Sequence, residues 1–508
     1  MSFVTGKIAK YGAFRVMNWN DLVRQEHSAG SNGSRLLETT MSADAFVHPD
    51  EIRSMFSGAM SEMYRAEVPQ YGTLMELVSE VNQHKLTADS ALAESLADRG
   101  EMERIDLERH GAIRLGKPEE LFNIRRLFAV MGMHPVGYYD LSVAGVPVHS
   151  TAFRPIDDAA LKRNPFRVFT SLLRLELIED KELRDQAEQI LAQREIFTAN
   201  AIKLISVAED NGGLTRDQAA QFVAEALETF RWHSSATVSL ETYNKLHDAH
   251  RLIADVVCFK GPHINHLTPR TLDIDAVQRE MPKRGISPKA VVEGPPTRNC
   301  PILLRQTSFK ALEERVEFAG DHSGETVGTH TARFGEIEQR GIALTSEGRK
   351  LYDTLLSSVR HAVQINADGS NACDYDTELT ERFKAFPDDY ETLRVEKLAF
   401  FRYRVTDAGL AAAQKGGLST SVDELVDQGY LRAEPIIYED FLPVSAAGIF
   451  QSNLGSDGQK NYSEHANQDV FEKCLGAKVA NELSLYAELE AASLEASYQA
   501  LGIRKQVA

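Results

Sequence analysis

Two stretches of this chain repeat one order of elements, and that repeat constrains the fold more than any other feature. In residues 103–155, alternation in MERIDLERHGAIRLG predicts a strand near 103–114, and KPEELFNIRRLFAVMG then carries a helical period. Gly132 closes that helix, Pro135 follows, and VGYYDLSV and VPVHSTAF read as two strands joined at Ala144-Gly145. From residue 262 the pattern returns, with HINHLTP as a strand and a helix from about Asp273 to Lys283. AVVEGP, ILLRQTSF and ARFGEIEQRGIAL then read as strands. Two modules with one element order and no obvious sequence identity point to a structural duplication inside an α+β protein. The expected architecture is a curved β-sheet core of paired βαβββ modules, with large helical insertions and helical termini.

The rest of the chain divides around these modules. Residues 1–100 read as mostly helical, with Asp50-Glu51 opening one helix and Leu74–Leu86 belonging to another. The first module, read as βαββ, takes 101–157, a helical insertion 158–258, and the second module 259–345. A helix and further strands follow over 346–455, then a helical tail over 456–508. Within the insertion, Lys181–Val207 reads as one long helix stopped by Gly212-Gly213, and Thr215 with Gln218 offers a capping box for the next. Asp469–Leu501 reads as one amphipathic helix, and 374–395 as an acidic variable stretch.

Charge narrows the partners. With 56 Lys+Arg against 74 Asp+Glu, the 508-residue chain carries a formal net charge of −18. Such a surface repels nucleic acid and anionic membranes, so neither is expected as a partner. A small anionic substrate then requires positive charge gathered at one site. Cys258, Cys300, Cys373 and Cys474 show no CxxC spacing, so a metal would have to use His, Asp or Glu. The N-terminal text lacks an apolar signal region and no apolar run approaches a membrane span, which reads as soluble and cytoplasmic. Nothing in the sequence fixes the oligomeric state.

His110 falls on the first strand of module one, His266 on the first strand of module two, and Glu336 on the last strand of that module. Two imidazoles and one carboxylate on paired strands suit the facial triad that holds non-haem Fe(II) and leaves coordination positions open. Fifteen histidines leave the choice of two undecided on pattern alone, since a lone strand His is more often structural. Glu336 and Glu338 share a strand face, so spacing does not separate them either.

ERHGAIRLG, GPHINHLTPRTLDID, RFGEIEQRGIALT and FLPVSAAGIF together resemble the 2-oxoadipate dioxygenase/decarboxylase family, also called hydroxyglutarate synthases, over about residues 105–452. That resemblance implies an iron-dependent member of the vicinal oxygen chelate superfamily, whose cores pair βαβββ modules. It implies metal ligands at His110, His266 and Glu336, and the EI-x-QR context of the related 4-hydroxyphenylpyruvate dioxygenases favours Glu336 over Glu338. It further implies substrate contacts from His110, Arg114, His266, Val444 and Ser445. Arg114 lies four residues after His110, so a regular strand puts both on one face, roughly 13 Å apart by Cα. The gap suits a 2-oxo dicarboxylic acid chelated at one end and paired with an arginine fork at the other. Gly111 between them could bulge the strand and spoil that geometry.

The implied reaction is oxidative decarboxylation of 2-oxoadipate with O2 to D-2-hydroxyglutarate and CO2, within lysine catabolism. Two other readings stay open: a metal-dependent isomerase or lyase that uses no O2, and a non-catalytic sensor of 2-oxo acids. Further candidates carry less weight. His149 and Arg154 face opposite sides of their strand, and His263, three residues from His266, faces away from it. His322 and His330 lie in a Gly/His-rich loop, Gln306 and Thr307 read as core hydrogen bonders, and Trp19 and Trp232 have no functional context.

Overall fold

The structure is a computed structural model that describes residues 46–309, 313–320, 326–366, 369–442 and 461–503, all within one unit, Phe46–Ala508. Helices α1 (Pro49–Glu67) and α2 (Pro69–Ala88) come first. His48 caps α1 through its side chain, Pro49 takes the first helical position, and Ile52, Phe56, Met60 and Met63 form its buried stripe. The two helices brace later segments. The Tyr64 hydroxyl donates to Phe334 O at 2.8 Å, while Asn82 accepts from Leu272 N at 2.7 Å and donates to Arg270 O at 3.1 Å.

The first module comprises β1 (Arg109–Leu115), α3 (Pro118–Val130), β2 (His134–Asp140), β3 (Val148–Arg154) and β4 (Arg167–Leu173). β4 lies where the sequence reads as helical, within 158–258. It runs parallel to β1 and antiparallel to β3, so this module is βαβββ, one strand more than its reading. The reading failed because every residue of β4 is buried, and a strand covered on both faces shows no alternation. The strand expected from 103 begins only at Arg109. Met102–Leu107 is a short helix, too brief to display a helical period.

The segment 181–207 also differs from its reading, holding two helices, Lys181–Ala192 and Ala199–Asn211, with Thr198 capping the second. Gly212 ends that second helix at φ 78°, and Thr215 with Gln218 forms the expected capping box. A short helix, α4 (Arg251–Val257), then leads into the second module.

That module comprises β5 (Leu267–Pro269), α5 (Ile274–Glu280), β6 (Leu304–Ser308), β7 (Glu314–Phe318), β8 (Thr326–His330) and β9 (Glu336–Arg340). AVVEGP is not a strand; within it Glu293 makes a single bridge to Gln306. β7 and β8 form a hairpin, β6 pairs antiparallel with β9, and β5 pairs antiparallel with β1. The main sheet therefore runs β2-β3-β4-β1-β5, and a bridge from Arg270 to Glu338 carries it on to β9.

Residues 398–442 add β10 (Phe401–Val405) and β11 (Leu431–Pro435) with two short helices between, and 374–395 falls in helices Ala372–Phe383 and Tyr390–Val395. The tail is two helices, Asn461–Leu475 and Glu482–Ala500, interrupted by Gly476 at φ 70° and restarted by the Asn481 cap. Among the described residues no helix is long and apolar enough to cross a membrane.

Alternation along β1 decides where chemistry can sit. Ile113 and Leu115 pack with Leu121, Ile124, Leu127 and Phe128 of α3, each such burial contributing about 1.5–3 kcal/mol. The other face presents His110, Ala112 and Arg114. Ala112 packs in the apolar cluster that contains Phe169 and Phe441, and Phe441 meets the His110 ring edge-on at 4.9 Å.

Candidate metal centre

Gly111 explains how two distant histidines meet. A Cβ there would lie 2.5 Å from Ile264 Cδ1 and 3.0 Å from His266 O, so only glycine lets the 264–266 segment lie against β1. The strand does not bulge: His110 to Leu115 stay in continuous register with Arg167 to Leu172. Asn265 N donates to Ala112 O at 2.9 Å and Phe334 N donates to Asn265 O at 3.1 Å, fixing the chain that carries His266, which precedes β5 rather than lying within it. Ser308 pairs with Glu336 across β6 and β9.

These contacts gather His110, His266 and Glu336, whose donor atoms lie within 4.8 Å of one another, all buried. Glu336 Oε1 stands 3.1 Å from His110 Nε2 and 3.8 Å from His266 Nε2. Thr268 and Gln306 each donate to the same oxygen at 3.1 Å and so hold the carboxylate in place. Both ring nitrogens of His266 and the second oxygen of Glu336 are buried without a hydrogen-bond partner. Leaving a polar atom so costs about 1–3 kcal/mol. A cation bound among these atoms removes that penalty. The residues therefore fit a metal, two imidazoles and one carboxylate brought together in a buried place.

Electrostatics act in opposite directions on the two histidines. Burial pushes His266 down to about 4, so its imidazole is neutral and able to ligate at pH 7. For His110, burial opposes the charged form, but Glu338 and Glu336 outweigh it and raise the pKa. Glu338 Oε1 lies 3.1 Å from His110 Nδ1 at an oblique angle, on the side of the ring away from Glu336. A proton kept on Nδ1 there leaves Nε2 as the donor, the arrangement of a carboxylate behind a ligating histidine.

Glu338 is held differently. Arg340 takes both its oxygens, at 2.7 and 2.8 Å, whereas Glu336 keeps one oxygen unpaired. Burial alone would raise Glu338, but Arg340, His110 and Arg167 bring it down to about 2. Behind it lies a buried lattice in which Glu108 meets Arg104, Arg167 and Arg270, and Glu439 meets Arg104 and Arg167.

A second buried group stands on the Arg114 side. Arg114 Nη1 donates to Asp255 Oδ2 at 2.6 Å. The other oxygen, Oδ1, lies 3.2 Å from His263 Nε2 and 3.0 Å from His330 Nε2. With its amide oriented to satisfy both neighbours, Asn265 donates to Ala112 O and accepts from Arg114 Nη1 at 3.0 Å. The tetrapeptide HINH thus serves two places: His263 faces Asp255, Asn265 touches Arg114, and His266 enters the metal group.

The remaining candidates separate. Gln306 joins the site through Glu336, while Thr307 donates to Gln278. Arg154 is spent on Asp440, at 2.7 and 3.0 Å, and His149 sits between Tyr138 and Phe471. Trp232 stacks over His330 and meets His263 edge-on. Val444, Ser445, His322 and Trp19 lie outside the described residues. Asp255, Asn265 and Thr268 escaped the sequence reading. Only Asp255 left a signal there, as a lone carboxylate inside the apolar run LIADVV.

Comparison with known proteins gives the family. The family model for 2-oxoadipate dioxygenase/decarboxylase matches residues 56–453. A Pseudomonas putida protein named 2-oxoadipate dioxygenase/decarboxylase is 60% identical over 463 residues, covering 91% of this chain and 99% of the relative. A relative of the same name from Escherichia coli is 58% identical over 444 residues, covering 87% and 97%. Among solved structures, the Pseudomonas putida hydroxyglutarate synthase in complex with 2-oxoadipate superposes with a TM-score of 0.84 at 59% identity, covering 90% of this chain and 99% of that one. A sequence match across most of both chains, on one shared fold, places this chain in the 2-oxoadipate dioxygenase/decarboxylase family of enzymes.

Proposed function

We propose that this chain converts 2-oxoadipate and O2 to D-2-hydroxyglutarate and CO2, with Fe(II) held by His110, His266 and Glu336, as a step of lysine catabolism. The observation that carries the reading is the meeting of three buried donors within 4.8 Å of one another, with both His266 ring nitrogens and Glu336 Oε2 left without a hydrogen bond. The Pseudomonas putida relative crystallised with 2-oxoadipate supports the choice of substrate. Bound there, Fe(II) supplies chelation of the 2-oxo acid and the one-electron steps that O2 requires. The balance needs no external reductant: one carboxyl leaves as CO2, one oxygen atom enters the new carboxylate and the other the new hydroxyl.

The chain's own residues orient and shield. Thr268 and Gln306 fix Glu336, and Glu338 stands behind the His110 ring, 3.1 Å from Nδ1. Phe334 and Phe441 flank the two imidazoles, at 4.8 Å from His266 and 4.9 Å from His110, and keep bulk water off them. Arg114, on the His110 face of β1, takes the distal carboxylate in a charge-assisted pair. Val444 and Ser445 complete the substrate contacts that the family resemblance implies.

The test is anaerobic Fe(II) reconstitution followed by oxygen-electrode assays with several 2-oxo acids. O2 uptake matching 2-oxoadipate loss and CO2 release one for one is expected. Product formation without O2 uptake would mark an isomerase or lyase, and binding without depletion would mark a sensor; either overturns the proposal.

A further inference from the structure

Arg114 does not pair with Asp255 as arginine and aspartate usually do. In the common fork, two parallel N–H groups meet both carboxylate oxygens. Here the 2.6 Å contact joins one nitrogen to Oδ2, while Oδ1 is turned to two imidazoles at 3.2 and 3.0 Å. Asp255 comes from α4, whose residues 252–257 are all buried, so its charge is shielded from bulk solvent. The imidazoles are held in turn. Tyr243 OH lies 2.9 Å from His330 Nδ1, which fixes the tautomer: the hydroxyl donates to Nδ1, and Nε2–H donates to Asp255. Trp232 stacks on the His330 ring with 7° between planes, and its edge-on contact with His263 is 4.7 Å. The group has the inventory of a metal site, but an arginine 2.6 Å from its carboxylate opposes a cation there.

Resting on the reading of Arg114 given above, we infer that Asp255, His263 and His330 form a holder that aims Arg114 at the distal carboxylate and so sets the preference for dicarboxylic 2-oxo acids. By engaging Oδ1, the two imidazoles stop Asp255 from closing the bidentate fork that would draw the guanidinium plane toward α4. Asp255 and both histidines are positioning residues; Arg114 alone meets substrate. The same backbone stretch supplies His263, Asn265 and His266, so the spacing between the carboxylate reader and the metal is built into one segment.

The informative variants keep both charges and change only the holder. His330→Phe preserves the ring among its aromatic neighbours but removes the donor, whereas His330→Gln keeps an N–H near the place of Nε2. For wild type and both variants, kcat and KM are measured with 2-oxoadipate and with 2-oxohexanoate, which lacks the second carboxylate. In His330→Phe, the 2-oxoadipate to 2-oxohexanoate ratio of kcat/KM should contract about tenfold, mostly through KM for 2-oxoadipate, the loss equivalent to about 1.4 kcal/mol. His330→Gln should stay within about threefold of wild type, a difference of about 0.7 kcal/mol or less. A wild-type preference that His330→Phe retains, or equal losses on both substrates, overturns the holder and leaves the function standing. A wild type indifferent to the distal carboxylate overturns the reading of Arg114, and the holder with it. Should His330→Phe fail to fold, the same Phe and Gln pair at His263 decides.

Discussion

The protein contains two buried groups of one inventory, a carboxylate with two histidines, and they are built for opposite ends. In the group of His110, His266 and Glu336, both His266 nitrogens and one Glu336 oxygen are buried without a hydrogen bond. In Asp255, His263 and His330, both carboxylate oxygens are taken, one by Arg114 and one by the imidazoles. The first group leaves atoms that a cation would satisfy. The second already has one in the guanidinium. Residue types and proximity therefore do not identify a metal site; the satisfaction of each lone pair does.

The largest expected effect would break the comparison outright. His266→Ala and Glu336→Ala should each abolish turnover and remove bound iron while the fold persists, checked by metal analysis and thermal melting. His263→Gln should keep the iron.

Next comes the reading of Arg114. Charge-assisted hydrogen bonds contribute about 1.5–3 kcal/mol, so Arg114→Ala should lower kcat/KM for 2-oxoadipate by about tenfold to a hundredfold or more. The loss for 2-oxohexanoate should be much smaller. Arg114→Lys should rescue only in part, because an ammonium lacks the planar two-donor fork. Steady-state kinetics on both substrates check this, and equal losses would assign Arg114 to the fold.

Glu338→Gln sharpens the comparison at the metal. It keeps the shape but weakens the partner of His110 Nδ1, and losses behind metal ligands are about 10–100-fold in affinity. Competition with a chelator should show weakened but measurable Fe(II) binding. Complete loss would make Glu338 a ligand in its own right.

The smallest effect lies outside both groups. Burial lowers His149 to about 4 from 6.5, so as pH falls the unfolded chain takes a proton that the native chain refuses. Stability from this residue is intact above about pH 6.5 and lost as pH falls toward 4. Between pH 7 and 5 that loss is about 2 kcal/mol. Urea unfolding at both pH values should show a loss between pH 7 and 5 that is about 2 kcal/mol smaller in His149→Phe than in wild type.

What could be read in the sequence follows the same physics. His110 and Glu336 sit on strands whose alternation is visible in ERHGAIRLG and GEIEQRG, and Gly111 marks the close approach that brings His266 in. β4 was hidden because burial on both faces removes alternation. Asp255 was hidden differently, since it reaches Arg114 from a helix 141 residues later in the chain, and no local pattern records such a contact. Spacing left Glu336 and Glu338 level, and only the family resemblance favoured Glu336; in the structure Arg340 takes both oxygens of Glu338, a contact between residues two apart that strand spacing does not record.

The most direct measurement of the contrast is an anaerobic Fe(II) titration of wild type, His266→Ala and His263→Gln, read as ions bound per chain. One ion in wild type, none in His266→Ala and one in His263→Gln is the expected result. Two ions in wild type, or loss in His263→Gln with retention in His266→Ala, would contradict it.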